Sequence, residues 1–481
     1  MSPNLRLMVN ENQCRSPVVR SVAVVGCGAA GIATAWAIRQ RAPVAIHVFD
    51  PEISTSRRGM GLPYGPDPMQ PLLNAPLRYM SVVPGDDGHC ERWFRSRRGA
   101  APELPVSRPA YGVYLRDALD ELIATGAVTP RQSRVHAVYE DSRGFRLASS
   151  HSELGTFDAV VLCTGWATNA SGGAATPLEQ LAETVAGLDE VDVLGCGLTA
   201  LDAVRVILRE SDAAVTMMSR RGLLPTVRQL AAPTELRAFT ADAVESVPTF
   251  GLRELFSGLV REGVASGIDV EPLTASALGT DPRRWIQDGL DAQRSPTWRG
   301  LVVLLSEEVM RPAWARISSR EKRLFLTRFH VVTQAVCNPM PGTVAEELAQ
   351  AMDDGRLSVE RAGRRGRRRA RGAATTVDCR RDGHRDLADV DAPIVRSLVH
   401  QGLAVRDPFG GVTVSPRTNR LVAAGPPRQL FAVGALAQGS CYVVNAVDAI
   451  VRQASVVAAE LDRLGRPRAA ERRERPCGAV V

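Results

Sequence analysis

The chain carries one apolar pattern twice. Val22 to Val25 form an unbroken apolar run, the glycine turn GCGAAG (26–31) follows, and the turn passes directly into the small and apolar stretch AAGIATAWAIRQ. Such a run predicts a strand covered on both faces, and the composition after the turn predicts a helix. VDVL (191–194), GCG (195–197) and LTALDAVRVILRE (198–210) repeat the order. A second strand is expected after each helix, in VAIHVF (44–49) and AVTMMS (214–219), and a further strand in residues 158–163. Between them, residues 59–82 are too rich in Pro and Gly for regular structure. Residues 175–185 read as a link between the two units. From about 225 to 355 the apolar spacing becomes helical, as in ELRAFTADAVESV and SREKRLFLTRFHVVTQAV, which predicts a mainly helical insertion over the cleft. Residues 428–464 read as a short strand, a glycine turn and a long helix that return to the first sheet.

The glycines give the pattern its chemistry. Gly26, Gly28 and Gly31 make GxGxxG. The first glycine serves the tight turn, the second the approach of a pyrophosphate, and the third the close packing of helix on strand, while the helix N-terminus offers free N–H groups. Asp50 ends the second strand, about 20 residues on, where an acid bonds a ribose hydroxyl. Strand 158–163 ends in Thr164-Gly165, a sharp turn expected beside the ligand. In the second copy Gly195 and Gly197 are kept and Ala200 replaces the third glycine. Its second strand ends not in an acid but in Ser219-Arg220-Arg221, where two guanidiniums suit a 2′-phosphate and so NADPH over NADH. The fold class is α/β: two Rossmann-like dinucleotide-binding units, the first discontinuous, with a mainly helical insertion.

Charge and composition exclude more than they add. The net charge is +7, and the tract 361–372 alone holds seven arginines and no acid. Set in glycine and alanine, it reads as a solvated loop, and with no interleaved aromatics it is not a nucleic-acid surface. No run of 18 apolar residues suggests a membrane span. The apolar segment after residue 20 follows a polar N-terminus and is broken by glycines, unlike an export signal. The nine cysteines form no CxxC pair and no metal-ligand spacing, the seven histidines form no HExxH or HxH cluster, and no metal site is expected. Several of the cysteines lie in apolar strands and read as buried thiols of a cytoplasmic protein.

The motifs GMGLPYG (59–65), PLLNAPLRYMS (71–81), RPAYGVYL (108–115), VLGCGLTALDAV (193–204) joined to SRRGLLP (219–225), and LFAVGALAQG (430–439) resemble those of FAD/NAD(P)-binding flavoproteins related to FAD-dependent urate hydroxylases and bacterial aspartate N-monooxygenases. The resemblance covers most of the chain. It implies FAD on the first unit (residues 19–175 and 395–465) and a nicotinamide nucleotide, NADPH or NADH, on the second (186–394, with the insertion at 225–355). Residues 1–18 and 466–481 are expected to be flexible. It also implies hydroxylation of a small nitrogen-containing substrate by dioxygen through a flavin C4a-hydroperoxide, with an amine or amino acid favoured and a purine second. Two places depart from the family pattern. A strand ending in a Cys-Thr-Gly-like turn is expected within 361–390, where the Arg tract and DCRRDGHRD stand. A Trp-Glu pair is expected near the C-terminus, where Tyr442 and Val443 stand.

Candidate cofactor contacts are therefore Gly26, Gly28, Gly31, Asp50, Asn74, Thr164, Gly165, Gly195, Gly197, Thr199, Ser219, Arg220, Arg221 and Gly434, and candidate substrate contacts are Tyr79, Tyr442 and Asn445. Met80 and Ser440 join them as flavin or substrate contacts, and Trp166 as a ring that stacks on the flavin or anchors a domain interface. Two alternatives stand beside these: Asn74 bonding its own loop, and Tyr442 as a core aromatic. The rival functions are an FAD-dependent NAD(P)H reductase or dehydrogenase without oxygen transfer, and a non-catalytic nucleotide-binding protein.

Overall fold

A computed structural model of the chain describes residues 19–98, 105–165, 178–231, 233–270, 281–361, 375–380 and 392–465. Both predicted termini, Trp166 and all of the Arg tract beyond Arg361 lie outside the described residues.

The first unit opens with β1 (Ser21–Val25), α1 (Ala29–Arg41) and β2 (Ala45–Phe49). After an irregular stretch come α2 (His89–Arg98), α3 (Arg108–Ala124) and β3 (Val128–Arg131). A three-stranded antiparallel meander follows, β4 (Ala137–Asp141), β5 (Gly144–Ala148) and β6 (Glu153–Phe157), and then β7 (Ala159–Leu162). The meander is not legible in the sequence, because its strands are short and β4 and β6 each bury a single residue, Val138 and Phe157, too little for an alternating signal.

The second unit runs α4 (Leu178–Val185), β8 (Glu190–Leu194), α5 (Leu198–Glu210) and β9 (Ala214–Ser219). The expected linker contains α4, which buries Leu181 and Val185 in the core that also holds Val204 and Ile207 of α5. Helices α6 (Ala241–Ser246), α7 (Leu252–Ser266), α8 (Pro282–Asp291), α9 (Trp298–Glu308), α10 (Met310–Arg316), α11 (Ser319–Arg328), α12 (His330–Cys337) and α13 (Gly342–Asp353) fill the predicted insertion. The chain then returns as β10 (Leu357–Arg361) and β11 (Thr375–Asp378), and continues through α14 (Pro393–His400), β12 (Leu430–Ala432), α15 (Gln438–Cys441) and α16 (Val447–Gly465).

Two parallel sheets result. The first has the order β12-β7-β1-β2-β3 and the second β10-β9-β8-β11. Strand β12 pairs with β7, so the first sheet is built from two distant stretches of chain. The strand missing from the sequence reading of 361–390 is β11, which pairs residue for residue with β8 from Thr375↔Val191 to Asp378↔Leu194. Its sequence, TTVD, has one buried apolar residue, Val377, too little for a periodicity signal. The reading of 361–372 as a solvated loop fails at its first residue, because Arg361 ends β10 opposite Ser219.

Helix α1 shows why the first core is dense. Every residue from Ala30 to Ile38 is buried, as expected of a helix that is apolar all round. It lies between the sheet, α3 and α16. Small residues on both helices, including Ala33, Ala37, Ala454 and Ala458, permit the close approach of α16, and the Trp36 indole donates to the Ala118 carbonyl at 3.2 Å.

Candidate functional site

The first glycine turn sits at the carboxyl end of β1, between β2 and β7. Gly26 adopts φ +103°, and a Cβ there would lie 2.4 Å from the Cys163 carbonyl oxygen. A Cβ on Gly31 would lie 1.9 Å from the Gly26 carbonyl oxygen, so α1 can seat on its own turn only with glycine at that position. Gly28 differs, because a Cβ there would meet nothing closer than the Gly61 Cα at 3.7 Å. The N-terminus of α1 has neither a side-chain cap nor an acid in its first turn. Asp50 already stands at the turn, with one carboxylate oxygen accepting the Cys27 N–H at 2.9 Å and the other the Glu52 N–H at 2.8 Å.

From the neighbouring strand, Thr164 presents a buried hydroxyl that has no partner among the described residues, followed by Gly165 at φ +63°. Gly434, at φ +82°, faces Ala30 of α1 and donates its N–H to the Gln453 side chain at 3.0 Å. An open second glycine, an uncapped helix and an orphaned hydroxyl together fit a bound pyrophosphate.

The second turn repeats this frame with different chemistry. Gly195 adopts φ +125°, and its added Cβ would lie 3.3 Å from the Cys379 carbonyl oxygen, a looser fit than at Gly26. The Ala200 methyl, in the place of the third glycine, would lie 3.6 Å from the same added Cβ. A Cβ on Gly197 would enter open space, and α5 again begins without a side-chain cap or an acid; Thr199 lies in that first turn. Ser219 accepts the Gly222 N–H at 3.0 Å. Arg220 is exposed, whereas Arg221 reaches into the helical insertion and donates to the Arg328 carbonyl at 3.1 Å.

Where the units meet, polar groups converge. Arg108 pairs with Asp202 of α5 at 2.7 Å, and burial still pushes that carboxyl up against the pull of the guanidinium. Arg228 donates through Nε and Nη2 to the Asn74 carbonyl at 3.0 and 2.8 Å. Burial lowers the Arg228 guanidinium, opposed first by the charge of Glu307 at the end of α9. Burial, and then the negative charge of Asp448, push the Glu307 carboxyl up to about 7, with Arg228 and Arg452 opposing. Arg452 in turn donates to the Glu307 carbonyl at 3.0 Å and pairs with Asp448 at 2.9 Å. Sequence reasoning missed Arg228, Glu307 and Asp448. Each lies in an ordinary helical or loop context, and only the fold brings Arg228 onto Asn74 and Glu307 under the charges of Arg228 and Asp448.

The other candidates lie elsewhere. Tyr442 is 5 % exposed, its ring against Trp314 and its hydroxyl 3.0 Å from His330 Nδ1, inside the helical core. Ser440 is buried between Asp407, to which it donates at 2.8 Å, and the Val414 N–H. The Met80 carbonyl accepts the Tyr111 hydroxyl at 2.9 Å. Asn445 is exposed, two residues before α16.

Residues 23–167 match the model of a family described as FAD-NAD(P)-binding. That segment is an FAD/NAD(P)-binding domain. No curated protein matches the chain. Solved structures similar to it include a Kutzneria sp. 744 ornithine N-hydroxylase with reduced FAD, NADP+ and L-ornithine (14% identity, 93% of this chain and 99% of that one, TM-score 0.49). Another is the reduced ornithine hydroxylase of Pseudomonas aeruginosa (13%, 93% and 100%, 0.49). A third is the Lactococcus lactis thioredoxin reductase (10%, 93% and 99%, 0.42). No helix among the described residues is long and apolar enough to cross a membrane, and none of their His, Cys, Asp and Glu side chains cluster as a metal site.

Proposed function

We propose that the chain is an FAD-dependent, NAD(P)H-consuming monooxygenase that hydroxylates a small nitrogen-containing substrate, an amine or amino acid in preference to a purine. The observation that carries this reading is the pair of glycine turns in one chain, alike in frame and opposite in strand-end charge. Asp50 suits the ribose of FAD, and the strand end at Ser219-Arg220 suits the phosphorylated ribose of NADPH. FAD, when bound, supplies the two-electron and dioxygen chemistry that no side chain provides.

The protein's part is to hold, orient and exclude water. Gly28, Asp50, Thr164 and Gly434 would hold the flavin nucleotide, and Gly197, Thr199 and the Ser219 turn the nicotinamide nucleotide. The junction lined by Asn74, Tyr79, Arg228 and Glu307 is the proposed substrate side. An amine must lose its proton before it attacks as a nucleophile, and a buried carboxyl held near 7 at Glu307 is matched to accept it. The family resemblance supports oxygen transfer over simple reduction. So does the state of the thiols. All seven described cysteines are free, and burial raises those of Cys163, Cys196 and Cys379 to about 12, 11 and 11, poor values for a dithiol relay.

The test is to supply FAD-loaded protein with NADPH, labelled dioxygen and a panel of amines, amino acids and purines. A true substrate gains one labelled oxygen and lowers the share of NADPH electrons recovered as hydrogen peroxide. If a two-electron acceptor is turned over efficiently and no compound gains label, the protein is a reductase.

A further inference from the structure

We propose that Arg361, rather than Arg221, is the partner of Arg220 in recognising the 2′-phosphate of NADPH. The inference rests on the reading of the second unit as the nicotinamide nucleotide site.

The two units can be aligned through their own hydrogen bonds. The Gly26 N–H donates to the Phe49 carbonyl at 2.8 Å, and the Gly195 N–H donates to the Met218 carbonyl at 2.8 Å. Met218 thus stands for Phe49, and Ser219 stands for Asp50, the residue that meets the ribose in the first unit. A carboxylate there would accept ribose hydroxyls and repel a phosphate, whereas Ser219 brings no charge.

Strand register then places Arg361 opposite Ser219, the last pair of β9 and β10. The Arg361 Nε donates to the Arg220 carbonyl at 3.3 Å, so the side chain reaches across the strand end toward the turn. The turn in its turn folds over β10: Gly222 adopts φ +61°, and a Cβ on it would lie 3.5 Å from the Arg361 nitrogen and 3.6 Å from the Glu360 carbonyl oxygen. Arg361 and Arg220 are both exposed on this rim. Arg221 is committed elsewhere, with Nη2 on the Arg328 carbonyl and Nη1 buried without a partner among the described residues. Two exposed guanidiniums flanking an uncharged serine make a fork for a phosphate monoester. Arg221 instead ties the turn to the helical insertion.

The experiment is calorimetric titration of 2′,5′-ADP and of 5′-AMP into the FAD-loaded full-length protein and its Arg361→Ala, Arg220→Ala and Arg221→Ala variants, with melting temperatures recorded for each. Arg361→Ala and Arg220→Ala are each expected to weaken 2′,5′-ADP about 10- to 100-fold, the range for one charge-assisted contact, and to leave 5′-AMP unchanged. Arg221→Ala is expected to lower the melting temperature and to keep the preference for 2′,5′-ADP. Loss of preference in Arg220→Ala but not in Arg361→Ala would overturn the role of Arg361 and leave the NADPH reading standing. A wild-type protein that binds the two nucleotides equally would overturn both.

Discussion

The carboxylate of Asp50 accepts the backbone N–H of Cys27 at 2.9 Å, so the acid proposed to read the ribose is docked on the glycine turn by the protein's own hydrogen bond. The acid is therefore preorganised, and little rotamer entropy remains to be lost when the nucleotide binds. Asp50→Ala is expected to weaken FAD by about 1.5–3 kcal/mol, the range for a hydrogen bond to a charged group. Absorbance titration of apoprotein with FAD measures it, and unchanged affinity would remove Asp50 from the site.

Gly31 and Gly28 separate packing from ligand approach. Gly31→Ala forces a methyl against the Gly26 carbonyl and is expected to destabilise the fold by at least about 1–3 kcal/mol. Gly28→Val sets its Cβ in ordinary contact with Gly61 and is expected to fold yet fail to retain FAD. Thermal melts beside flavin absorbance distinguish the two, and a Gly28→Val protein that keeps stoichiometric FAD would refute the assignment of the first turn.

Arg108 and Asp202 join the two units through a largely buried ion pair. Arg108→Met leaves a buried carboxylate without its cation, and a cost of about 3–5 kcal/mol is expected. The double variant Arg108→Met/Asp202→Asn should recover part of that loss. A double-mutant cycle in urea, with additive losses, would show that the pair is not coupled.

Glu307 gives a pH signature of known sign. Its carboxyl titrates at about 7 in the folded protein against an ordinary 4.5, so the folded state binds the proton more tightly. Its contribution to stability is full below 4.5 and is lost as pH rises to 7, by up to about 3 kcal/mol. Glu307→Gln should be insensitive to this step. Unfolding curves of the two proteins between pH 4.5 and 8 should therefore diverge, the variant becoming the relatively more stable at high pH. Parallel curves would contradict the raised value.

Tyr442 tests an interior role. Tyr442→Phe removes the hydroxyl facing His330 and is expected to cost about 1 kcal/mol while FAD content and NADPH oxidation persist. A large loss of turnover with unchanged stability would place Tyr442 at the substrate after all.

Both nucleotide-binding frames were legible in the sequence, because their signals are local. An apolar strand, a glycine turn and a helix follow one another without interruption, and the steric demands at Gly26 and Gly31 arise within a single αβ unit and its neighbouring strand. Asp50 and the Ser219-Arg220-Arg221 turn were legible for the same reason, each ending the strand next to its glycine turn. Tertiary structure alone decided the rest. That Arg361 faces Ser219 depends on the pairing of β10 with β9, which are separated by the whole helical insertion. Strand β11 is recognisable only by its ladder to β8, since four residues with one buried valine carry no period. The environment of Glu307 is set by Asp448 and Arg452 from α16 and by Arg228, all far away in the chain. Charges act through space, and strand partners are chosen by the packing of the sheet, so neither leaves a mark on local spacing.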